Sequence, residues 1–423
     1  MLLIYRYLID ILFPIIIIII FLRTWFNKED KNRFKEKLFI SSFNVVKNNK
    51  KKLIWFHAAS IGELKSIIPL VKKLNEKDIF EFLVTTVTLS SARLIEKEFL
   101  NKKNITHRFF PIDKILIIER FLDKWSPDMI IFVDSEIWPN FLLTIKKRAI
   151  PLILLNGRIT RKTFLRWNLI PNIAQNIFQT FDLCLSCNNE SKKYLEKLKA
   201  KNVKCFGNLK LTSENKLVNS NFKNKEILNN IKFWCAVSTH KGEDIFCLKT
   251  HLQVKKKHKN ITTVIIPRHI ERSKSIELSC RKLGLKSQIV SEDNVILPDS
   301  EIIIINTYGV LTNYLEFSRS VFIGKSMIKK LESVGGQNPI EAAKLGCKIY
   351  HGPYVYNFKE IYELLNKYKI SEKINDEIEL ANKIIADFDK THKINDDKIK
   401  IINNLGKDIL ENTYNELNKI YNK

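Results

Sequence analysis

The feature that most constrains the fold of this chain is an alternation of short, apolar, β-rich runs with helix-like stretches. In the N-terminal half, the helix-like stretches lie at residues 64–74, 91–99, 141–148 and 191–198. The β-rich runs that separate them lie at residues 53–56, 80–86, 129–133, 151–155 and 183–185. Repeated βα units of this kind predict a parallel sheet that is covered by helices.

A second βα series follows a polar, asparagine-rich stretch at residues 212–230, which we interpret as a linker. Its β-rich runs lie at residues 233–237, 262–266, 301–305, 321–323 and 348–350. The predicted organisation is an apolar anchor (1–26), a doubly wound domain (27–211), the linker, and a second doubly wound domain (231–423). We expect a cleft between the two domains, with ligands outside the carboxyl ends of the strands.

The beginning of the chain contains an unbroken apolar run at residues 11–22, which reaches the length of a bilayer span only if residues 2–9 join it. No small-residue cleavage site follows the run, so we interpret it as a retained membrane anchor and not as a secretory signal. The alternative is a buried core helix. Basic residues behind the run favour a cytoplasmic location and attract anionic lipids; they are Arg23, Lys28, Lys31, Arg33, Lys35 and Lys37.

The formal net charge is +26, from 71 Lys and Arg against 45 Asp and Glu. This charge favours nucleic acid, an anionic membrane or phosphorylated substrates as partners, although lysines spread over the whole surface give the same count. A nucleic-acid-binding protein would need a binding motif or a basic patch interleaved with aromatic residues, and we find neither. The seven cysteines lack the spacing of a disulfide framework or a zinc site, so we expect a reducing compartment and core packing for Cys184 and Cys187.

Carboxylates follow two of the β-rich runs in the N-terminal half. Glu63 comes after the first run, in the first turn of a predicted helix, and Asp134 and Glu136 come directly after the third run. Carboxylates that share one sheet edge repel each other, and functional sites tolerate this more often than scaffolds do. Two alternatives remain: Glu63 complements a helix dipole, and the second group begins a helix at Pro139. By spacing alone, His57 is a buried core histidine.

Three polar loops follow strands of the second series: residues 238–243, the pair Pro267 and Arg268, and residues 335–341. The paired glycines of the third loop precede a helix, where exposed backbone N–H groups can bind a phosphate. Glu341, one turn into that helix, can accept hydrogen bonds from ribose hydroxyls. The sequence contains neither a P-loop nor a G-x-G-x-x-G fingerprint, which argues against ordinary P-loop and nicotinamide chemistry.

Taken in chain order, these segments resemble the 3-deoxy-D-manno-octulosonic acid (Kdo) transferases of lipopolysaccharide synthesis. The resemblance extends over nearly the whole chain, and the matching segments are residues 57–63, 85–91, 111–113, 134–140, 156–158, 207–210, 238–243, 267–272, 335–341 and 352–360. It implies an α/β GT-B fold, in which two Rossmann-like domains enclose a cleft. It also implies inverting transfer of Kdo from CMP-Kdo to the tetraacylated, phosphorylated glucosamine disaccharide that precedes lipid A.

The resemblance further implies roles for individual residues. The general base falls on Glu63, and two transition-state stabilisers fall on Glu136 and Lys210. The CMP-binding positions fall on Pro267, Arg268, Gly309, Val310, Leu311, Asn338, Pro339, Ile340 and Glu341. No metal or other cofactor is implied. Val310 and Gln337 stand where the family usually has Glu and His, and these departures bear on donor affinity.

These interpretations predict an enzyme at the cytoplasmic face of a bacterial inner membrane. Its expected partners are CMP-Kdo, the lipid A precursor and anionic inner-membrane lipids, with no nucleic acid. The alternative enzyme is another GT-B glycosyltransferase that uses a UDP-sugar on a membrane lipid. Nothing local in the sequence determines how many Kdo residues are transferred.

Overall fold

The computed structural model describes residues 2–38, 51–213, 222–291, 294–389 and 396–421. The chain divides into two compact units, of which the first comprises Met1–Ser213 and Leu405–Lys423 and the second comprises Glu214–Asn404. Each unit contains one seven-stranded parallel sheet covered by helices. The predicted fold class, two doubly wound α/β domains, is therefore confirmed.

The sheet of the first unit has the strand order β3-β2-β1-β4-β5-β6-β7. Its strands are β1 (Lys52–His57), β2 (Phe80–Thr86), β3 (Ile105–Phe109), β4 (Met129–Val133), β5 (Leu152–Gly157), β6 (Leu183–Ser186) and β7 (Val203–Cys205). Its helices are α1 (Leu2–Trp25), α2 (Ile61–Asn75), α3 (Leu89–Glu98), α4 (Ile115–Trp125), α5 (Pro139–Lys147), α6 (Arg161–Asn168), α7 (Pro171–Phe178) and α8 (Asn189–Lys197). Sequence analysis did not predict β3 and β7, because both strands are only partly buried and polar residues interrupt them.

The sheet of the second unit has the order β10-β11-β9-β8-β12-β13-β14. Its strands are β8 (Lys232–Thr239), β9 (Ile261–Pro267), β10 (Ser287–Val290), β11 (Ile302–Ile305), β12 (Ser320–Ile323), β13 (Lys348–His351) and β14 (Ser371–Lys373). The remaining helices are α9 (Lys225–Asn230), α10 (Glu243–Lys257), α11 (Ser273–Lys282), α12 (Leu311–Leu315), α13 (Ile340–Lys344), α14 (Lys359–Lys367), α15 (Glu377–Asp389) and α16 (Asp396–Tyr421).

Aromatic packing builds the core of the first unit around Trp55. This side chain is fully buried in β1, and its ring contacts those of Phe110, Phe121, Phe132 and Phe141. Because large aromatic residues bury much apolar area, this cluster fixes α4 and α5 against the sheet. Cys184 and Cys187 are buried free thiols, as predicted for core packing.

Two predicted domain bounds need correction. The prediction assigned all of residues 231–423 to the second domain, whereas residues 405–423 belong to the first unit. The last turns of α16 are held there by Lys204 Nζ, which donates to Glu416 (2.7 Å), and by Lys52 Nζ, which donates to the carbonyl of Tyr421 (2.8 Å). The predicted linker 212–230 contains α9, while its residues 214–221 lie outside the described part of the chain.

Candidate active site

The first sheet reverses its strand order between β1 and β4, which are neighbours although β2 and β3 come between them in the chain. In open parallel sheets, ligands bind at such a switch point, outside the carboxyl ends of the strands. The segment after β1 leads to Glu63, and the segment after β4 carries Asp134 and Glu136. The structure therefore places Glu63 in the first turn of the helix after β1, and Asp134 and Glu136 in the segment after β4, at the switch point.

The Glu63 carboxylate lies in the first turn of α2 and accepts hydrogen bonds from Ser60, the N-cap residue, and from Ala59 before it. Glu63 Oε1 accepts from Ser60 Oγ (2.8 Å), Oε2 accepts from the N–H of Ala59 (2.7 Å), and the N–H of Glu63 donates to Ser60 Oγ (3.3 Å). The pKa of Glu63 is raised to about 7, mainly by burial and in addition by the negative charges of Asp134 and Glu136, while the two hydrogen bonds oppose the rise. The group can therefore accept a proton near neutral pH.

The second carboxylate, Glu136, has a pKa that is shifted in the opposite direction to that of Glu63. Its Oε2 accepts from Trp138 Nε1 (2.7 Å) and lies 3.3 Å from Nε2 of the fully buried His57. Burial alone would raise the pKa of Glu136, but the bond and charge of His57 and the bond of Trp138 lower it overall. The switch point thus holds two carboxylates whose surroundings shift their pKa values in opposite directions, as acid–base sites do.

Lys210 reaches the same edge from the 3-10 turn Leu209–Thr212, and its Nζ lies 3.4 Å from Asp134 Oδ2. Both side chains are largely shielded, with 18% and 12% of their surfaces exposed. Asp134 has a left-handed backbone, with φ of 63°. Non-glycine residues in this region are strained and often occur at functional sites. The carboxylate that pairs with Lys210 is thus Asp134, which sequence analysis had grouped only with the other acids.

In the second unit, the strand order reverses between β8 and β12. Glu243, which is 1% exposed, joins the loops that follow these strands. Its Oε2 accepts from the N–H groups of His240 (2.9 Å) and Lys325 (2.7 Å), and its Oε1 accepts from those of Ser326 (2.8 Å) and Met327 (3.0 Å). Sequence analysis assigned this residue no role; an acidic residue at a helix start after a strand was the available signal.

The predicted donor-binding residues lie at the carboxyl edge of the same sheet. Pro267 ends β9, and the exposed Arg268 donates its N–H to the carbonyl of Thr239 at the end of β8 (3.1 Å). Gly309 has a φ of 86°, and a Cβ atom there would meet open space. The other predicted positions follow at the start of α12 or lie just before and within α13: Val310, Leu311, Asn338, Pro339, Ile340 and Glu341.

One of the two glycines before α13 differs from the prediction. Gly336 has a φ of 87°, and its N–H donates to the carbonyl of Lys325 (2.7 Å), so this donor is not exposed to a phosphate. At the buried Gly335, a Cβ atom would clash with the carbonyl oxygen of Tyr354. The two glycines instead permit close contact between loops, and the expectation of an exposed phosphate-binding N–H at Gly336 is wrong.

Within the described residues, no group of three or more His, Cys, Asp and Glu side chains is arranged to hold a metal ion.

Sequence reasoning missed the contact of His57 with Glu136. The signal was that His57 ends the strand next to the one that Asp134 and Glu136 follow, since neighbouring parallel strands end at the same edge.

Comparison with known proteins adds independent findings. The sequence model of the 3-deoxy-D-manno-octulosonic-acid transferase (kdotransferase) family matches residues 32–213. The chain is 30% identical over 381 residues to a 3-deoxy-D-manno-octulosonic acid transferase of Rickettsia bellii, which covers 89% of this chain and 88% of the relative. It is 27% identical over 320 residues to the transferase of that name from Haemophilus influenzae, with 74% and 73% covered.

Solved structures share the fold over most of the chain at low sequence identity. Anabaena Alr3699/HepE in complex with UDP superposes with a TM-score of 0.58 and 14% identity, over 87% of this chain and 100% of that protein. UDP-GlcNAc 2-epimerase from Neisseria meningitidis, bound to UDP-GlcNAc, gives a TM-score of 0.54 and 13% identity, over 85% and 98%. With the two parallel sheets, these likenesses confirm the predicted GT-B class of fold.

Proposed function

The chain belongs to the 3-deoxy-D-manno-octulosonic-acid transferase family and is a glycosyltransferase, and we propose that it transfers Kdo from CMP-Kdo to the lipid A precursor. The acceptor in this proposal is a hydroxyl of the tetraacylated glucosamine disaccharide bisphosphate. The observation that carries the proposal for this chain is the Glu63 carboxylate, whose pKa is raised to about 7 at the switch point of the first sheet.

In the proposed reaction, Glu63 acts as general base. The acceptor hydroxyl gives its proton to the Glu63 carboxylate while its oxygen forms a bond to the anomeric carbon of Kdo. The bond between that carbon and the phosphate oxygen breaks, and CMP leaves with the electron pair. Because the acceptor attacks opposite the leaving group, the anomeric centre is inverted.

Glu136 and Lys210 are proposed to stabilise the transition state. Glycosyl transfer passes through a state with positive charge near the anomeric carbon, which an anionic carboxylate stabilises. The lowered pKa of Glu136 keeps it ionised for this role. The ammonium of Lys210 would balance negative charge on the donor's carboxylate or departing phosphate, in partial competition with its contact to Asp134.

The donor is proposed to bind the second unit through the loops after β9, β11 and β12. Arg268 is exposed at this edge, and a guanidinium can donate two parallel hydrogen bonds to a phosphate. Asn338, whose Oδ1 accepts from the N–H of Ile340 (3.1 Å), and Glu341 are proposed to bind the nucleoside. We propose that no metal is required, because CMP carries one phosphate and its charge can be met by Arg268.

We propose that the enzyme works at the cytoplasmic face of a bacterial inner membrane. The stretch Leu3–Trp25 of helix α1 has a mean hydropathy of 2.4, and only 6% of it is buried. Because a core helix would be mostly buried, that alternative is wrong. An enzyme that is anchored this way stays where its lipid acceptor is concentrated. The exposed Lys28, Lys31 and Lys35 behind α1 would meet anionic lipid headgroups.

The test is incubation of the purified protein in detergent with CMP-Kdo and the tetraacyl disaccharide bisphosphate, with products read by mass spectrometry. A mass increase of one or more Kdo units is expected, and its size counts the units transferred. Replacing CMP-Kdo by UDP-sugars tests the alternative donor class. The proposal would be overturned if no product formed with CMP-Kdo while a UDP-sugar gave a glycosylated acceptor.

A further inference from the structure

Helix α1 is less exposed along one stripe of its surface, and residues of this stripe contact the first unit. The residues of this docking stripe are the less exposed ones on one face of the helix: Tyr5, Arg6, Ile9, Phe13, Ile16, Ile17, Ile20 and Thr24. Ile20 is 6% exposed, and Phe13 packs against the core of the unit. A helix that crossed a bilayer away from its domain would show no such stripe.

Polar contacts hold the first half of α1 against the unit. Tyr5 Oη donates to Asp113 Oδ2 (2.7 Å), Arg6 Nε donates to Asn140 Oδ1 (3.3 Å), and Asp10 forms an ion pair with Lys114. Asp113 is 3% exposed, so removal of Tyr5 would leave a buried carboxylate with one partner fewer.

The chain after α1 returns to the same unit. Phe21, in the last turns of α1, contacts the ring of Phe34 edge-on at 5.1 Å. Close behind it, Glu36 Oε2 accepts from the N–H of Phe109 at the end of β3 (2.7 Å). Both ends of α1 are therefore tied to one folded unit.

The opposite stripe of α1 is apolar and exposed. Ile4, Ile11, Ile18 and Trp25, each seven residues from the next, are 61%, 72%, 57% and 80% exposed. Seven residues are about two helical turns, so these four side chains point the same way along the full helix. An apolar surface of this extent is unstable in water and needs an apolar cover.

We propose that α1 lies in the plane of the membrane surface, with both ends on one side of the bilayer, and that acyl chains of a leaflet containing anionic lipids cover its exposed stripe. This rests on the membrane association proposed above. A helix that crossed the bilayer would pass through about 30 Å of hydrocarbon. Either the docked unit, with Lys114 and Asp113, would then enter the hydrocarbon, or every contact of the docking stripe would break. In the plane, only the apolar stripe enters the acyl region, to a depth of roughly 5–10 Å.

Charge on the first unit fits the same orientation. Lys28, Lys31 and Lys35 are exposed just beyond the end of α1, on the segment that returns to the unit. In the proposed orientation they lie at headgroup level, where each basic residue adds attraction to an anionic leaflet that salt weakens.

The test uses full-length protein bound to preformed vesicles of phosphatidylethanolamine and phosphatidylglycerol. The variants Ile4→Cys, Ile11→Cys, Ile18→Cys and Trp25→Cys carry an environment-sensitive fluorophore, with the unsubstituted chain as the background for its seven native thiols. The in-plane helix predicts complete quenching of the labels at both ends by external dithionite, which does not cross bilayers. It also predicts similar, shallow depths for all four labels by spin-labelled lipid quenching.

Protection of the label at residue 4 or 25 from dithionite, or labels at 11 and 18 that lie much deeper than those at the ends, would overturn the proposal. Ile17→Cys, on the docking stripe, is the matched control and should be shielded from lipid quenchers. Failure of the full-length chain to bind these vesicles would also overturn it. Kdo transfer measured in detergent does not depend on this orientation, so failure of the proposed function is read separately.

Discussion

His57 Nε2 lies 3.3 Å from Glu136 Oε2, the same oxygen that accepts the hydrogen bond of Trp138. On the other side of the His57 ring, Nδ1 lies 3.0 Å from Thr85 Oγ1, which also accepts from Trp55 Nε1 (2.9 Å). The Nε2 atom can donate to the Glu136 carboxylate, while Nδ1 faces both the hydroxyl (3.0 Å) and the carbonyl oxygen (3.3 Å) of Thr85. A buried chain of side chains thus orients Glu136 from within the core.

Replacing His57 by Phe should lower kcat by about 10- to 100-fold, because a hydrogen bond to a charged group contributes roughly 1.5–3 kcal/mol. The phenyl ring keeps the stacking on Phe110, whose ring lies 3.6 Å away, so the change removes the bond more than the packing. Loss of the bond also raises the pKa of Glu136. Steady-state kinetics and the CMP dissociation constant are the measurements, and CMP affinity should not change.

Thr85→Val is the partner variant, because it removes the hydroxyl that faces His57 Nδ1, together with that hydroxyl's bond from Trp55 Nε1. A smaller fall in kcat with unchanged CMP affinity is expected. If both variants lose CMP affinity and kcat in the same proportion as thermal stability, His57 is merely structural.

Glu63→Gln should reduce kcat by about 10²- to 10⁴-fold through loss of the general base. The amide oxygen of Gln can still accept from the N–H of Ala59, and its NH2 can donate to Ser60 Oγ, so the fold and CMP binding should remain. Wild-type turnover in this variant would remove Glu63 from the mechanism.

The variant Glu63→Gln should also change how the stability of the protein depends on pH. The pKa of Glu63 rises from 4.5 to about 7 on folding, so its contribution to the free energy of unfolding is present below pH 4.5 and is lost as pH rises through 7. Gln carries no such penalty. Thermal melting should therefore show Glu63→Gln gaining in Tm relative to the unsubstituted chain as the pH is raised from 4 to 8.

Asp134→Asn should shift the pH profile of kcat/KM. Activity requires deprotonated Glu63 and should rise with pH to a midpoint near 7; the charge of Asp134, after burial, is the next cause of that raised pKa. Removal of the charge lowers the pKa of Glu63, so the acidic limb should move to lower pH. Asn tolerates the left-handed backbone at this position, so the loop should keep its shape. An acidic limb that stays in place or moves to higher pH would contradict the assignment of Glu63 as base.

The sequence predicted the two βα series and the position of Glu63 because buried parallel strands appear as apolar runs and because side chains that follow such runs share one sheet edge. The helix predicted for 64–74 is α2, and its start three residues earlier follows from the Ser60 cap. Local pattern was sufficient for these features.

Other features depend on contacts that are distant in sequence. The strand β3 reads Ile-Thr-His-Arg-Phe and has no continuous apolar run. Its His107 contacts Arg33 only because the chain returns to this strand after α1. Equally, nothing local indicates that the end of α16 contacts β1, or that the carbonyl of Lys325 accepts a hydrogen bond from the N–H of Gly336. These contacts are set by tertiary packing.

Arg268→Ala should weaken CMP binding by about 10- to 100-fold, because a charge-assisted hydrogen bond to phosphate is lost. The bond from the N–H of residue 268 to Thr239 survives the change, so the loop should persist. Isothermal titration with CMP and with cytidine separates the contributions, since cytidine lacks the phosphate and its affinity should not change. Arg281→Ala, at an exposed arginine of α11, is the matched control. An unchanged CMP dissociation constant would exclude Arg268 from the donor site.

Deleting residues 2–22 should leave only weak, salt-sensitive membrane binding through the basic residues behind the deletion. It should also lower the Tm, because it uncovers the core surface beneath Phe13 and removes the Tyr5 bond to Asp113. CMP affinity should remain, since the donor residues lie in the second unit. The measurements are vesicle co-sedimentation at low and high salt and thermal melting with and without CMP.

The control is the double variant Ile11→Asp and Ile18→Asp, which changes only the exposed stripe of α1 and leaves its docking stripe intact. Charged residues resist entry into acyl chains, so this variant should lose most vesicle binding while its Tm stays within a few degrees of the unsubstituted chain. Both proteins should retain Kdo transfer to acceptor in detergent and lose it on acceptor in bilayers. Full sedimentation of the double variant at high salt would place the membrane contact elsewhere on the first unit.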